Sequence, residues 1–571
     1  MKQLCNKSPK TNIPIKDKNG KALASMEDQK KRWAEHFKET SNRPTPTNTL
    51  LIEETPEIHQ LNISCEEITL EEIKVVIKKL KKHKATGDDN ITGEMLKAGD
   101  DNTLKHLLIL YNQVWQNESP PKQWKNGNIV KLPKKGNLTD CNNWRGITLL
   151  SIPGKVFLSI ILERMRKSID EKLREEQAGF RPQRSTTDHI FTLRTIIEES
   201  TERQLNLVIN FVDFQKAFDS LHRPSLWKIL SMYGIPTKYI NIIKAFYTDS
   251  ACCVKTESGN SDWFTVETGV KQGCVISPIL FCIAIDWIMK NCTKKQLGIK
   301  WVDDKSLEDL DFADDIVLLS ASHEDLQEKT EKLQFYSEQL GLQINTSKTK
   351  IMEYTQKTSS IILNNNALEK VSHFSYLGSK ITADGDTNAE IMTRIALAAN
   401  AFNRLSNIWR LKTLGNQTKI RLFNACVISV LTYGCESWKS TITMERKLVA
   451  FENKCLRKIT NTNWKDYKSN DELREETKQK YITNTIRKRR WAYIGHALRM
   501  SEDKIPRQTI MWSPKGKRKR GRPKETLRRT IEREAKTIGL KTQDLQDLAT
   551  NRKEWKTMTS ALCAKLGTRG I

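Results

Sequence analysis

The alternation of apolar and polar positions along the chain predicts a mixed domain in its middle. Between residues 104 and 378, helical stretches alternate with short apolar runs, which is typical of a mixed α/β or α+β domain. LVINFVDF (207–214) predicts a buried strand, and HEDLQEKTEKLQFYSEQLG (323–341) predicts an amphipathic helix capped by Gly341. The middle of the chain therefore carries both strands and helices.

The flanking segments have mainly helical periodicity. Thr69 with Glu72 three residues later predicts a capping box at the start of a helix. Residues 385–460 have the pattern of several helices, and beyond residue 465 the chain becomes strongly basic. The boundaries that these changes predict are a polar N-terminal extension (1–60), a helical lead-in (61–103), the mixed region (104–378), a helical region (379–465) and a basic C-terminal region (466–571).

Two carboxylate clusters interrupt the apolar runs. In LDFADDIVLLS (310–320), Asp314 and Asp315 lie between two β-forming segments, which predicts a hairpin turn, because unpaired charge in a buried strand is costly. In VDFQKAFDSLHR (212–223), Asp213 follows the predicted strand and Asp219 comes six residues later. Taken singly, each aspartate could merely cap a turn.

Taken together, Asp213 at the end of the strand and the hairpin pair Asp314 and Asp315 are what a two-metal site needs. Carboxylate oxygens suit Mg²⁺, with Mn²⁺ as an alternative, and such ions are held through a few carboxylates and substrate phosphates. Two ions about 4 Å apart can activate a 3′-hydroxyl and stabilise departing pyrophosphate. The pattern therefore favours phosphoryl transfer.

Composition narrows the partner and the compartment. The chain has 571 residues with 95 Lys and Arg against 68 Asp and Glu, a formal net charge of +27. This excess favours a polyanion, nucleic acid first and an anionic membrane surface second. No secretory signal is visible, and the longest apolar stretch (275–289) is too short to span a membrane. Twelve cysteines without CxxC pairs predict reduced thiols, so we expect a nuclear or cytoplasmic protein that is not secreted.

The carboxylates belong to a set of segments that resembles the reverse transcriptase domain of non-LTR (LINE-type) retrotransposons, often found fused to an apurinic-type endonuclease. Seven segments match in the family's order: LPKKGNLTDCNNWRGITLLS (132–151), EEQAGFRPQRSTTDHI (175–190), NFVDFQKAFDS (210–220), TGVKQGCVISPILF (268–281), LDFADDIVLLS (310–320), GLQINTSKTK (341–350) and FSYLGS (374–379). The resemblance implies an α+β right-hand polymerase with fingers and palm over 104–378, a helical thumb over 379–465 and a basic, mostly helical C-terminal region.

The resemblance also implies roles for individual residues. Asp213, Asp314 and Asp315 match the metal-binding triad of the palm. Phe218 lies where the family places a bulky side chain under the sugar, which would clash with a 2′-hydroxyl and favour dNTPs; the alternative is a core phenylalanine. FSYLGS resembles the primer-grip hairpin, with Gly378 at its turn.

Further matches concern the incoming nucleotide. Gln272 and Gly273 match the family's Gln-Gly pair, whose glycine permits close backbone approach to nucleotide or template. Arg145 and Lys134 resemble finger residues that meet the triphosphate, since a guanidinium suits phosphate oxygens. Lys348 resembles the lysine that assists pyrophosphate departure. Two adjacent candidates stay open, namely Lys135 for Lys134 and Lys350 for Lys348.

The basic stretch 487–529, called here the basic tail, favours nucleic-acid contact. It holds 16 Lys and Arg against 3 Asp and Glu, and its Trp491 and Trp512 are interleaved with this charge, where aromatic rings can stack on bases. Its core, Arg520-Gly521-Arg522-Pro523, resembles an AT-hook, whose arginines could enter a narrow A·T minor groove. A nuclear localisation signal and a solvated linker remain alternatives. The candidate nucleic-acid-binding residues are Lys517, Arg518, Lys519, Arg520 and Arg522.

The function that the resemblance implies is an RNA-directed DNA polymerase, which extends a DNA 3′-hydroxyl on an RNA template by two-metal phosphoryl transfer. Its partners would be the RNA template, the DNA primer or target, and dNTPs, and no membrane. No endonuclease domain fits in residues 1–60, so we expect that activity from a missing domain or another protein. The alternative is a catalytically silent element fragment that only binds nucleic acid. An RNA-dependent RNA polymerase is disfavoured by Phe218 and by Ala313, where that class usually has glycine.

Overall fold

The computed structural model describes residues 13–47, 59–355, 359–518, 520–541 and 543–567. The elements up to the end of the long helix before the central sheet are α1 (Met26–Thr40), α2 (Leu70–Lys79), α3 (Gly93–Ala98), α4 (Asp101–Asn117), α5 (Lys122–Lys125), β1 (Gly127–Pro133), β2 (Trp144–Leu149), α6 (Ile152–Lys172) and α7 (Thr186–Arg203).

The middle of the chain supplies most of the strands. Its elements are β3 (Leu207–Val212), α8 (Ala217–Ser220), α9 (Arg223–Met232), α10 (Thr237–Tyr247), β4 (Ala251–Thr256), β5 (Gly259–Asn260), β6 (Phe264–Thr265), α11 (Ser277–Cys292), β7 (Ile299–Lys300), β8 (Ser306–Leu307), β9 (Asp309–Phe312), β10 (Asp315–Ser320), α12 (His323–Gln339), β11 (Lys350–Tyr354), β12 (Ile362–Leu363), β13 (Asn366–Ala367), β14 (Glu369–Lys370), β15 (His373–Tyr376) and β16 (Ser379–Thr382).

From residue 388 onward the described chain is helical. Its elements are α13 (Asn388–Arg404), α14 (Ser406–Arg410), α15 (Asn416–Phe423), α16 (Ser429–Leu431), α17 (Ile442–Thr460), α18 (Asn470–Thr477), α19 (Ile482–Leu498), α20 (Ile505–Met511), α21 (Leu527–Thr537), α22 (Asp544–Thr550) and α23 (Arg552–Gly567). None of the helices in the described ranges is both long enough and apolar enough to cross a membrane.

The central sheet has the strand order β14-β11-β3-β10-β9. Strand β3 pairs antiparallel with both β10 and β11, and β9 and β10 form a hairpin. Side chains alternate between the two faces of a strand. Accordingly, Leu207, Ile209 and Phe211 pack in one apolar cluster with α7, whereas Val208 and Val212 belong to the main core with α6, α11 and α12. The sheet is therefore buried on both faces.

A second sheet has the order β2-β1-β4-β5, with β6 also paired to β4. Trp33 and Phe37 of α1 lie in its apolar cluster with Ile129, Val254 and Phe264. The described part of the predicted N-terminal extension thus packs on this sheet, and the proposed boundary at residue 60 stays a prediction.

The C-terminal helices pack on α7 and on the face of the central sheet that carries Leu207, Ile209 and Phe211. Trp512 stacks on Trp301 with ring centroids 4.8 Å apart, and Thr509 of α20 hydrogen-bonds Thr192 of α7 at 3.0 Å. Trp491 is fully buried and lies 5.7 Å from the ring of Trp555. The expectation that Trp491 and Trp512 stack on bases is therefore wrong, because both rings are enclosed by protein.

Several local predictions are confirmed. The capping box at α2 has Thr69 and Glu72 bonded reciprocally, and α12 is followed by Gly341 in the left-handed region at φ +74°. The apolar stretch 275–289 forms most of the buried helix α11, and FSYLGS forms the β15–β16 hairpin. The described chain is a mixed α+β structure followed by helices, as the pattern predicted.

Candidate active site

Two of the predicted metal-binding aspartates lie side by side across β3 and β10. Val212, the last residue of β3, pairs with Ile316, so the next residue, Asp213, lies opposite Asp315. Directly opposed residues of antiparallel strands project on the same face. Both carboxylates therefore emerge at one end of the central sheet, on the face that carries Phe211.

The third aspartate lies in the turn of the β9–β10 hairpin. Phe312 pairs with Asp315, which leaves Ala313 and Asp314 as a two-residue turn. Ala313 has φ +61°, a conformation that hairpin turns normally fill with glycine. The sequence predicted this hairpin, and its geometry places Asp314 beside Asp315 at the tip.

Burial and mutual repulsion shape the ionisation of these carboxyls. Burial, reinforced by the charges of Asp314 and Asp213, raises the pKa of Asp315 to about 6. Burial also raises the pKa values of Asp213 and Asp314. Asp213 Oδ1 has no hydrogen-bond partner among the described residues, and its nearest cation is Lys348 Nζ at 3.6 Å. Such a site favours an added positive charge.

The carboxylates are close enough to affect one another without forming a closed ligand cage. Within the described residues, no group of three or more His, Cys, Asp or Glu side chains is arranged as a metal site. What fits a divalent cation is the donor chemistry, namely hard carboxylate oxygens with raised pKa values and one oxygen without a hydrogen bond.

Three basic residues lie near these carboxylates, namely Lys134, Arg145 and Lys348. Partial burial, together with repulsion from Arg145 and Lys348, lowers the pKa of Lys134, while the charges of Asp219 and Asp213 oppose that shift. Lys134 and Arg145 come from the two strands of the β1–β2 hairpin and its flank, where Arg145 pairs with Leu132 in the ladder. The structure thus brings the three predicted cations together at the carboxylates.

Lys350 and Lys135 are the alternatives to Lys348 and Lys134, and the surroundings of these lysines differ. Lys350 donates to Glu369 and to the Ser347 carbonyl, so its ammonium is engaged away from Asp213. Lys134 Nζ lies 3.3 Å from the Asn142 carbonyl, and the charges of Asp219 and Asp213 act on its pKa. This geometry favours Lys134 and Lys348 for the roles that the resemblance implies.

Asp219 is a neighbour of the site to which the sequence assigned no role. Gln272 Nε2 lies 3.4 Å from its carboxylate, and burial raises the pKa of Asp219 to about 6 despite nearby Lys216 and Lys134. The signal was present in its position six residues after Asp213, but spacing alone did not distinguish it from a turn residue. Lys216, in turn, donates to Thr40 Oγ1, which ties the end of α1 to this wall of the site.

The backbone of Gly273 closely approaches another part of the protein's own backbone, in β2. Its φ is +123°, and a Cβ there would lie 2.3 Å from the carbonyl oxygen of Thr148 in β2. The Gln272 carbonyl accepts from the Thr148 N–H at 2.7 Å. The Gln-Gly pair therefore holds β2 against the site, and an additional role towards nucleotide stays a prediction.

Phe218 has one face supported by the core. Its ring stacks on Phe281 of α11 at 4.4 Å and 15°, and Phe180 meets it edge-on at 6.3 Å. The side chain is half-buried, so part of the ring remains accessible. This position is compatible with a sugar gate and with a core residue.

The candidate nucleic-acid-binding residues of the basic tail lie apart from the carboxylates. Arg518 pairs with Glu202 of α7 at 3.2 Å, and the Lys517 carbonyl accepts from Gln204 at 3.0 Å. Arg520 and Arg522 are exposed beside a cavity that Glu198, Glu202 and Asp384 also line. Lys519 lies outside the described residues.

A family model described as "Reverse transcriptase (RNA-dependent DNA polymerase)" matches residues 132–381, which contain all nine candidate residues of the carboxylate site. A second model, for a domain of unknown function, matches residues 401–433.

Curated relatives match beyond the domain model. The RNA-directed DNA polymerase from mobile element jockey of Drosophila melanogaster is 26% identical over 433 residues, covering 71% of this chain and 45% of the relative. The probable RNA-directed DNA polymerase from transposon BS of the same species is 26% identical over 487 residues, covering 80% of this chain and 52% of the relative. The chain spans about half the length of these relatives.

Among solved structures, the apo telomerase of Candida tropicalis is 13% identical with a TM-score of 0.36, covering 72% of this chain and 73% of that one. This likeness is too weak to bear on function.

Proposed function

We propose that this chain, which contains a reverse transcriptase domain of the non-LTR retrotransposon type, acts as an RNA-directed DNA polymerase that extends a DNA 3′-hydroxyl on an RNA template. The observation that carries the proposal is the meeting of Asp213, Asp314 and Asp315 at one end of the central sheet. Because the chain spans about half the length of its curated relatives, the activity of a whole element protein is only proposed for this chain.

We propose that Asp213, Asp314 and Asp315 hold divalent cations, Mg²⁺ first and Mn²⁺ as the alternative. The raised pKa values, and the Asp213 oxygen that accepts no hydrogen bond, indicate a site that gains from bound positive charge. When bound, two such ions would supply charge stabilisation at the attacking 3′-oxygen and the departing pyrophosphate.

The chain's own cations would bind and orient the triphosphate. Arg145 offers a planar fork that matches phosphate oxygens, and Lys134 and Lys348 add point charges near the carboxylates. Gln272, through its contact with Asp219 and its backbone bond to Thr148, would fix the wall against which the nucleotide rests. These residues act on binding and orientation.

Phe218 would select the sugar. Its ring is held rigidly by stacking on Phe281, so it cannot easily move aside for a 2′-hydroxyl. We propose that this rigidity favours dNTPs over rNTPs.

The remaining partners are proposals as well. RNA template and DNA primer or target would be held partly by the exposed arginines Arg520 and Arg522. The working compartment would be the nucleus or the cytoplasm.

The test is extension of a DNA primer annealed to an RNA template by the full-length protein with Mg²⁺ and dNTPs. Asp213→Asn and Asp315→Asn should abolish extension while leaving primer–template affinity nearly unchanged, because metal ligands act on the chemical step. Asp262→Asn is the matched control, since Asp262 is an exposed aspartate in the loop before β6.

Two outcomes would contradict the proposal. Substantial extension by either variant would remove the metal-binding assignment. Primer–template binding by the wild type without any extension, at all Mg²⁺ and Mn²⁺ concentrations tried, would favour the silent nucleic-acid-binding alternative.

A further inference from the structure

The segment Glu176–Gly179 runs beside the β9–β10 hairpin, along the edge of the central sheet. Gln177 forms a parallel bridge with Asp311 of β9. The Asp311 N–H donates to the Glu176 carbonyl at 3.0 Å, and the Ala178 N–H donates to the Asp311 carbonyl at 2.9 Å. This segment therefore covers the outer edge of β9, up to the turn that carries Asp314.

The side chain of Gln177 reaches the turn itself. It is fully buried, and its Oε1 accepts from the Ala313 N–H at 3.0 Å and from the Gly179 N–H at 2.8 Å. Because both partners are donors, only the amide oxygen can face them, so the orientation of the amide is fixed. One side-chain atom thus joins the two backbones.

Gly179 completes the contact from the neighbouring position. A Cβ at Gly179 would lie 2.3 Å from the Ala313 nitrogen and 2.9 Å from its Cα, so only glycine fits against the turn. Ala313 is in the left-handed region, which an alanine adopts only when its surroundings hold it there. The turn is therefore constrained by its neighbours more than by its own sequence.

We propose that Gln177 is a positioning residue that holds the Ala313–Asp314 turn, and through it the Asp314 carboxylate, in the place the reaction needs. The proposal rests on the polymerase function proposed above, and it assigns a task to the EEQAGFRP segment, whose residues carry none of the roles given so far. Gln177 touches no reacting group, so it would act only through the turn.

The experiment measures single-nucleotide addition and hydrogen exchange in the same variants of the full-length protein. Gln177→Met keeps the length of the side chain and removes the acceptor, whereas Gln177→Glu keeps an acceptor oxygen. Asn210→Leu is the matched control, because Asn210 is an equally buried amide of the same sheet whose bond to Thr330 Oγ1, 3.0 Å long, lies away from the turn.

We expect Gln177→Met to lower the rate of addition roughly 10- to 100-fold, since small misplacements of a catalytic group have effects of that size. Primer–template affinity should not change, amide exchange in the 309–316 segment should accelerate, and Gln177→Glu should restore most of the rate. Asn210→Leu should lower the melting temperature without changing the rate. Should Gln177→Met fail to fold, Gly179→Ala carries the test, because its Cβ would press on Ala313 without removing a hydrogen-bonding group.

Wild-type rate and wild-type exchange in a folded Gln177→Met or Gly179→Ala variant would overturn the proposal. A rate loss in Asn210→Leu equal to that in Gln177→Met would also overturn it, because the effect would then follow from stability alone. Absence of extension by the wild type would instead remove the polymerase function, and the exchange measurement would still decide whether Gln177 holds the turn.

Discussion

Replacing Asp311 with asparagine is expected to stabilise the protein, and to do so more strongly as the pH rises. Beside the β9–β10 hairpin, Arg174 contacts both carboxylate oxygens of Asp309 at 2.9 Å and one oxygen of Asp311 at 2.7 Å. Asp286 is a third acid within 3.4 Å of the same guanidinium, and all three acids are fully buried. Asp286 is also paired with Lys290 at 2.9 Å. Asp309 and Asp311 therefore share the single guanidinium of Arg174.

The pKa values of Asp309 and Asp311, the two aspartates of β9, are shifted in opposite directions. Burial opposes ionisation of Asp309, but Arg174 outweighs it, and the pKa of Asp309 is lowered. Burial together with the charge of Asp309 raises the pKa of Asp311 well above its usual range. Asp311 is therefore a neutral acid in the native state at pH values where the unfolded chain has already released that proton.

The sign of the effect follows from proton counting. Between the unfolded and folded pKa values of Asp311, the native state binds one proton more than the unfolded state, so the free energy of unfolding falls as the pH rises. One proton corresponds to about 1.4 kcal/mol per pH unit. Asparagine imitates the neutral acid and does not titrate, so its advantage over the wild type should grow with pH, by up to about 1.4 kcal/mol for each pH unit between the unfolded and folded pKa values.

Urea denaturation of wild type and Asp311→Asn at pH 6, 7 and 8 measures this difference. Asp309→Asn is the matched control on the same strand, and it should destabilise at every pH, because Arg174 loses the carboxylate that contacts it with both oxygens. A difference between Asp311→Asn and wild type that is equal at pH 6 and pH 8 would mean that Asp311 is ionised in the native state. The reasoning about the cluster would then be wrong.

Three further predictions concern sugar selection, the C-terminal helices and the exposed arginines. Phe218→Val should raise rNTP relative to dNTP incorporation, whereas Phe335→Val, on an exposed part of α12, should not; an unchanged ratio in an active Phe218 variant would make that ring a core residue. Glu534→Ala should cost about 3–5 kcal/mol in denaturant unfolding, since it removes the acid paired with buried Arg490 and the nearer of the two acids paired with Arg487, and a loss near zero would contradict their pairing. Changing Arg520 and Arg522 to Ala should make the salt dependence of duplex binding shallower by about 1.8 on a log–log scale and abolish A·T preference, whereas an unchanged slope would exclude phosphate contacts there.

Features of the fold that depend on residues near each other in sequence could be predicted from the sequence. The capping box at Thr69, the glycine after α12 and the hairpin with Asp314 at its tip each follow from a few adjacent residues and their backbone preferences. The placement of Asp213 opposite Asp315 could not be predicted in this way, because local periodicity does not specify which strands pair when they lie a hundred residues apart. There the motif order of a known family supplied what the pattern could not.

Features that depend on distant partners were mispredicted or missed. Trp491 and Trp512 carry flanking positive charge and look exposed in sequence, yet each is covered by an aromatic ring from another segment, Trp555 and Trp301 respectively. Gln177 has no local feature that separates it from a surface glutamine, and only the contact with a turn 136 residues away reveals its surroundings. Burial of a polar side chain depends on its tertiary neighbours, and a single sequence does not specify them.

The same limitation changes the interpretation of the basic tail. Arg487 and Arg490 are buried against Glu534, and Arg528 and Arg529 pair with acids of α7, so much of the apparent positive charge is neutralised inside the protein. The exposed arginines of the described part of the tail are Arg518, Arg520 and Arg522, and Arg518 is paired with Glu202. Deleting the whole tail would therefore remove the cover of α7 and part of the core behind the central sheet, and loss of activity after such a deletion would not report on nucleic-acid contact. Point substitutions of Arg520 and Arg522 separate the two effects, because both side chains are exposed.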